Sequence, residues 1–483
     1  MKLLRHLAGY LPVQVANGIA AFGGVYVYTR LLGPEEYGRY ALMLSAMALI
    51  HMLSLTSAEA ASFRFAGEAE AKQQQPDHFR TILSLTVRSL FVTAVLIALT
   101  ALLLGRLPEY LKILPWIAIL IPINSTIQIA LEAHRASERV GRYALISTTQ
   151  TLGGFGLGAL IAWQSGFGAA SPFIGMALAG GLWAASETRW LFKQAKTGVT
   201  DRGRQIAYLK YGAPIAAALV LDLILSAADR FLIAIFLGEA AVGEYAAGYG
   251  VADKTVLLIC AWAAMAAVPL VMAAYERGGA DAAAEEARGL IRTLLLLGIP
   301  AATGLALVAV PLSEALIGEA LREGAQKIIP WIAFAGLLNG LIIHYYSEVF
   351  HLGHRTGELA LLMIIPAAAN IGLNLVLIPQ LELLGAVIAT LASYGLGLLV
   401  LSVRGRRLVA LPMPLIDLAK IGVSALAMWP VIAVLPDWGS WGELALKAGL
   451  GGLTYGIVAF ALDAGGARGF VKEKLTSTER ASA

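Results

Sequence analysis

Apolar runs of about 20 residues recur along nearly the whole chain, separated by short polar stretches, and that is the length a helix needs to cross a bilayer. Strands of a membrane barrel would be about 10 residues long and would alternate in polarity, which these runs do not do. A helix also satisfies its backbone polar groups within the segment, as hydrocarbon requires. The pattern predicts fourteen spans, near residues 8–32, 38–61, 82–105, 113–133, 143–163, 167–190, 211–237, 243–275, 293–316, 328–350, 359–379, 383–403, 418–436 and 444–463. The chain reads as an all-α, polytopic membrane protein.

Landmarks within this pattern occur twice. Leu32-Gly33-x4-Gly38-x-Tyr40-Ala41 returns as Leu237-Gly238-x4-Gly243-x-Tyr245-Ala246, 205 residues later. Ile113-Leu114-Pro115-Trp116 returns as Ile328-Ile329-Pro330-Trp331, Asn124 as Asn339, and His134-Arg135 as His354-Arg355, all in the same order. Six spans separate each pair, so both halves have the same orientation, as parallel repeats related by an axis along the membrane normal require. The expected organisation is an N-lobe (1–192, spans 1–6), a basic linker (193–210), a C-lobe (211–403, spans 7–12), two further spans within 404–463 and a tail (464–483).

Composition agrees. The 483 residues are 58% hydrophobic and 14% charged, against about 25% charged in a soluble protein. The net charge of +4 does not indicate nucleic acid, because most Lys and Arg fall in alternate loops. That asymmetry orients the helices and places both termini in the cytoplasm, with some attraction to anionic lipid. The first apolar segment follows Met1-Lys2-Leu3-Leu4-Arg5, but it exceeds a signal-peptide core and shows no small-residue cleavage site, so it reads as a retained helix. A single cysteine, Cys260, forbids an internal disulfide, and no Cys/His cluster suggests a metal or other cofactor. There is no nucleotide-binding loop, HExxH helix or nucleophile elbow. Gly154-x3-Gly158 reads as close helix packing. The predicted outer loops are too short to hold an extramembrane catalytic domain.

The candidate chemistry is charge within spans, which is costly in a bilayer and faces protein or a cavity. On span 7, Asp222, Ser226 and Asp229 share a face, with Arg230 beside them; on span 8, Tyr245, Tyr249 and Asp253 do so, with Lys254 adjacent. Asp229–Lys254 and Arg230–Asp253 are compatible with plain salt bridges, and Arg230 and Lys254 equally with a cavity that meets an anionic substrate. The N-lobe adds Gln14 and Asn17 on one face of span 1, Arg30 near its outer end, Arg64 at the inner end of span 2 and Arg88 in span 3. Arg30 and Arg88 also suit snorkelling to headgroups. His51 and Glu59 are a candidate proton-handling pair. Cations on both lobes suit a phosphate-bearing ligand, which Arg grips in bidentate fashion and Lys as a point charge.

The stretch Tyr28-Thr29-Arg30-Leu31-Leu32-Gly33-Pro34-Glu35-Glu36-Tyr37-Gly38-Arg39-Tyr40-Ala41, with its partner from Asp229-Arg230 through Gly238 to Gly243-Glu244-Tyr245, resembles the O-antigen and exopolysaccharide flippases of the multidrug/oligosaccharidyl-lipid/polysaccharide exporter superfamily. The resemblance implies a two-lobed, alternating-access transporter of the bacterial inner membrane. Its substrate would be a polyprenyl-diphosphate-linked oligosaccharide, moved to the outer leaflet for lipopolysaccharide or other polysaccharide assembly. Its partners would be membrane lipid and the assembly machinery. A cationic cavity would take the diphosphate, to which Arg30, Arg64, Arg88, Arg230, Lys254, Gln14, Asn17 and Tyr249 are candidate contributors, with Asp222, Asp229, Asp253 and Glu59 as coupling or ion-pair groups. A drug or organic-cation antiporter of the same superfamily is the alternative, and a membrane glycosyltransferase or polymerase is the alternative from another class.

Overall fold

A computed structural model describes residues 2–104 and 107–469. Residue 105, the last of the third expected span, and the tail beyond residue 469 lie outside the described residues. Those described form helices and no strand. They pack into two compact units, Met1–Gly243 and Glu244–Ala483.

The first unit contains α1 (Lys2–Leu31), α2 (Pro34–Ser54), α3 (Thr56–Ala71), α4 (Gln75–Leu103), α5 (Pro108–Ala136), α6 (Val140–Gln164), α7 (Ser171–Gln194) and α8 (Arg202–Leu237). The start of α9 (Glu239–Leu307) completes it; the second unit holds the rest of α9, α10 (Ala309–Leu316), α11 (Arg322–Leu341), α12 (Glu348–Leu352), α13 (Thr356–Gly405), α14 (Leu415–Leu426), α15 (Met428–Ala433) and α16 (Ser440–Ala461). Each predicted span is helical over most of its described residues. Nine helices among the described residues are long and apolar enough to cross a membrane, or ten if α2 and α3 form one bent span. The count differs from fourteen partly because helices run on: α13 carries two expected spans across a break at Glu382, whose φ is 53°. Likewise α9 carries its two across Gly279, at φ 68°.

Local chemistry sets the boundaries. Pro34 opens α2 with Glu35 and Glu36 in its first turn, where a missing N–H costs nothing and negative charge meets the positive end of the helix dipole. Asp201 caps α8, its side chain accepting the Arg204 amide at 2.8 Å, and the same contact holds its carboxyl below the usual aspartate range. Gly238, at φ 89°, ends α8 in a conformation that a side chain disfavours. The span expected over 38–61 is instead two helices meeting at 56°, with Leu55 between them.

Large apolar side chains such as Leu103 and Leu182, 85% and 81% exposed, cover the outside, as lipid permits. Within the first unit, Ile82, Ile129, Leu191 and Tyr208 form a buried cluster joining α4, α5, α7 and α8. The Gly154-x3-Gly158 stretch packs as its spacing suggests. A Cβ on Gly175 of α7 would lie 2.1 Å from the Gly158 amide nitrogen and 2.6 Å from the Gly154 carbonyl oxygen. Gly175→Val is therefore expected to lower stability by about 1–3 kcal/mol through overpacking, read as a lower unfolding temperature in detergent; an unchanged temperature would refute this contact. In the second unit, Gly340 of α11 sits against the buried Cys260 of α9. Asn374 donates to Asn370 along α13 at 3.0 Å.

Candidate functional site

The bend at Leu55 shapes a cavity of about 630 Å3 within the first unit, inside the roughly 300–1,000 Å3 range of small-molecule sites. The bend sets His51, in the last turn of α2, against Glu59, in the first turn of α3, with Nε2 3.0 Å from Oε1. The opposite wall is one face of α5, where Gln128, Glu132 and Arg135 recur at i, i+4 and i+7. Gln128 donates to Glu132 Oε1 at 3.0 Å, and Arg135 Nη2 stands 2.7 Å from Glu132 Oε2. Deeper along α5, Asn124 accepts from Gln150 of α6 at 3.2 Å. Phe63 and Tyr211 complete the wall, with the Arg135 guanidinium 4.2 Å from the Phe63 ring centre. Both carboxylates are buried. A second cavity of about 830 Å3, near Gly238, is walled mainly by aliphatic side chains of α2, α4 and α8.

Of the residues singled out in the sequence for the site, Glu59 and its candidate partner His51 are among those lining this cavity. Arg30 is exposed, donates to the Tyr26 carbonyl oxygen at 2.8 Å and covers the Tyr26 ring at 3.9 Å. Arg64 is exposed, 5.7 Å from the Phe65 ring centre, and Arg88 donates to Gln205 Oε1 at 2.9 Å. Arg230 reaches from α8 to Ser45 Oγ of α2 at 3.0 Å, beside the buried Asp229. Gln14, Asn17 and Asp222 are exposed. In the second unit, Tyr249 is buried with its hydroxyl 3.4 Å from that of Tyr394, Asp253 is buried against Gly336 of α11, and Lys254 is exposed. The four arginines thus have separate surroundings. Sequence reasoning missed Asn124, Gln128, Glu132, Arg135 and Gln150, although the α5 spacing was a legible signal.

Two further polar clusters flank the cavity. At the Gly33 end, Arg39 bonds Glu36 and, at 2.6 Å, Glu239; Glu36 also accepts the Ala169 amide at 2.6 Å. A Cβ on Gly38 would lie 1.9 Å from the Glu239 carbonyl oxygen and 3.1 Å from the Gly243 nitrogen, so the two copies of the repeated glycine motif meet face to face. At the other end, the fully buried Glu187 holds His134 at 3.0 Å and Arg142. Among the described residues, no group of three or more His, Cys, Asp or Glu is placed to hold a metal ion.

Long apolar helices in two units, with polar groups gathered in a cavity inside the helical body, define a multi-pass membrane protein with a transporter fold. The family described as "Polysaccharide biosynthesis protein" matches residues 3–274. The chain belongs to that family. Among solved structures it is similar to "Lipid II flippase MurJ, inward closed conformation", with TM-score 0.71 and 16% identity over 95% of this chain and 99% of that one. It is also similar to the "Inward-facing conformation of a multidrug resistance MATE family transporter of the MOP superfamily" (TM-score 0.62, 14% identity, 82% of this chain and 95% of that one). The outward-facing conformation of such a transporter matches less closely, at TM-score 0.54 and 17% identity over 83% and 94%. At these identities the likeness is one of fold. No curated protein matches the chain in sequence.

Proposed function

We propose that the protein is a flippase that moves a polyprenyl-diphosphate-linked oligosaccharide from the cytoplasmic to the outer leaflet by alternating access, in the service of polysaccharide biosynthesis. The observation that carries this reading is the cavity of the first unit. It offers amides, carboxylates and a guanidinium inside a body otherwise faced with lipid-compatible side chains. A group that needs many hydrogen bonds can leave water only for such a wall, while its lipid tail remains in the membrane.

Family membership over residues 3–274 and the likeness in fold to a lipid II flippase support the same reading. Arg30, Arg64, Arg88, Arg230 and Lys254 are the cations proposed to meet the diphosphate during the cycle, and an O-antigen or exopolysaccharide is the proposed end product.

Purified protein in liposomes is expected to expose a labelled diphosphate-lipid oligosaccharide to an outside reagent at a rate that scales with protein. No protein-dependent exposure with several glycans, alongside proton- or sodium-driven movement of an organic cation, would replace this reading with the antiporter.

A further inference from the structure

We propose that the cavity of the first unit is a glycan subsite that admits neutral and amino sugars and rejects sugars bearing a carboxylate. This rests on the flippase reading above and names the substrate class of its site.

The wall matches a sugar in kind. A hydroxyl both donates and accepts, and so does an amide; Asn124, Gln128 and Gln150 supply three amides to one cavity. Phe63 and Tyr211 provide apolar ring surface against which the C–H face of a pyranose packs.

The charge selects. Glu59 and Glu132 bring two carboxylates. Arg135 is already engaged by Glu132 at 2.7 Å and His51 by Glu59 at 3.0 Å. A uronic acid would place a third carboxylate among these groups in a medium of low dielectric, where like charges are strongly disfavoured. An amino sugar would instead present its ammonium to the acids.

A purely structural role does not account for Glu132. Its hydrogen-bond partners Gln128 and Arg135 come from its own helix, and the group reaches α3 only through the Arg135–Phe63 ring contact, yet Glu132 is 8% exposed. Charge placed within a membrane body marks a substrate or ion path.

Two readouts test this on the full-length protein, with three synthetic diphosphate lipids differing only in one sugar: glucose, glucosamine or glucuronic acid. In liposomes, the glucose and glucosamine lipids are expected to flip at least about tenfold faster than the glucuronate lipid, since like-charge juxtaposition is costly. Glu132→Gln, which keeps the shape and removes the charge, is expected to narrow that ratio to about threefold or less. Separately, Ala60→Cys places a thiol on the cavity wall, the native Cys260 being buried. Glucose and glucosamine lipids are expected to slow its alkylation in detergent, and glucuronate lipid is not.

Equal handling of all three lipids, or a ratio unchanged in a Glu59→Gln/Glu132→Gln double variant, would overturn the subsite. Equal alkylation with every lipid would overturn it as well. Selective protection without flipping would uphold the subsite and refute the transport reading.

Discussion

A reversible cross-link between Arg39→Cys and Glu239→Cys is expected to arrest polysaccharide export, by about tenfold or more, and reduction of the link to restore it. The Arg39 guanidinium holds both Glu36 and Glu239, and the neighbouring Gly38 leaves no room for a side chain against the Glu239 carbonyl. If the proposed alternating-access cycle opens the molecule at the Gly33 end by parting these groups, a covalent bridge spanning them blocks that half of the cycle. A bifunctional thiol reagent with a disulfide in its spacer makes the comparison within one sample. Each single-cysteine variant treated the same way controls for loss of the charge pair. Full export with the link quantitatively formed would place the opening elsewhere.

The second large effect is one of stability. Arg142→Ala is expected to cost about 3–5 kcal/mol, because it strands the fully buried Glu187 carboxylate with His134 as its remaining partner. Glu187→Leu is expected to cost less, about 1–3 kcal/mol, because the buried His134 ring loses its partner. The substitution removes the buried charge itself, and Arg142, which is about two-fifths exposed, can turn its guanidinium to water. Thermal unfolding of the two variants in detergent gives the order directly, and equal losses would show that charge burial is not the cause.

The helical spans were legible because length and composition alone decide them in a lipid solvent, and the repeated glycine motif was legible because two copies share one spacing. The Gly154–Gly158 contact followed from spacing as well. Other features turned on packing. Nothing in Leu53-Ser54-Leu55-Thr56-Ser57 breaks a helix by itself, yet the chain bends there and so brings His51 to Glu59. The π-helical turn at Ile342–Tyr346 and the break at Glu382 likewise carry no proline or glycine at the break itself. Position within the predicted spans singled out several intramembrane charges, but not which neighbour each one meets. That is why Arg30, Arg64, Arg88 and Arg230 looked like one group in the sequence and have separate surroundings in the fold. Glu132 went unremarked, and Arg135 was read only as part of the His134-Arg135 repeat landmark rather than as part of a cavity wall.

The basic stretch after α7 is strapped down rather than loose: a Cβ on Gly198 would lie 2.0 Å from the Pro76 carbonyl oxygen, Val199 donates to Asp77 at 2.8 Å, and Arg204 faces the same carboxylate. Beyond it, Tyr208 fills the cluster of Ile82, Ile129 and Leu191, and Gly212 abuts the Ser57 backbone. This fixes an order of events on the ribosome. At about 5–20 residues per second of synthesis, the first seven helices are in the membrane for seconds with that cluster incomplete. The first unit can close only when α8 emerges to fill it. A chain that ended within the basic stretch would leave this face unfilled for want of Tyr208, whereas one that ended just past Leu237 would hold the helices that cover it.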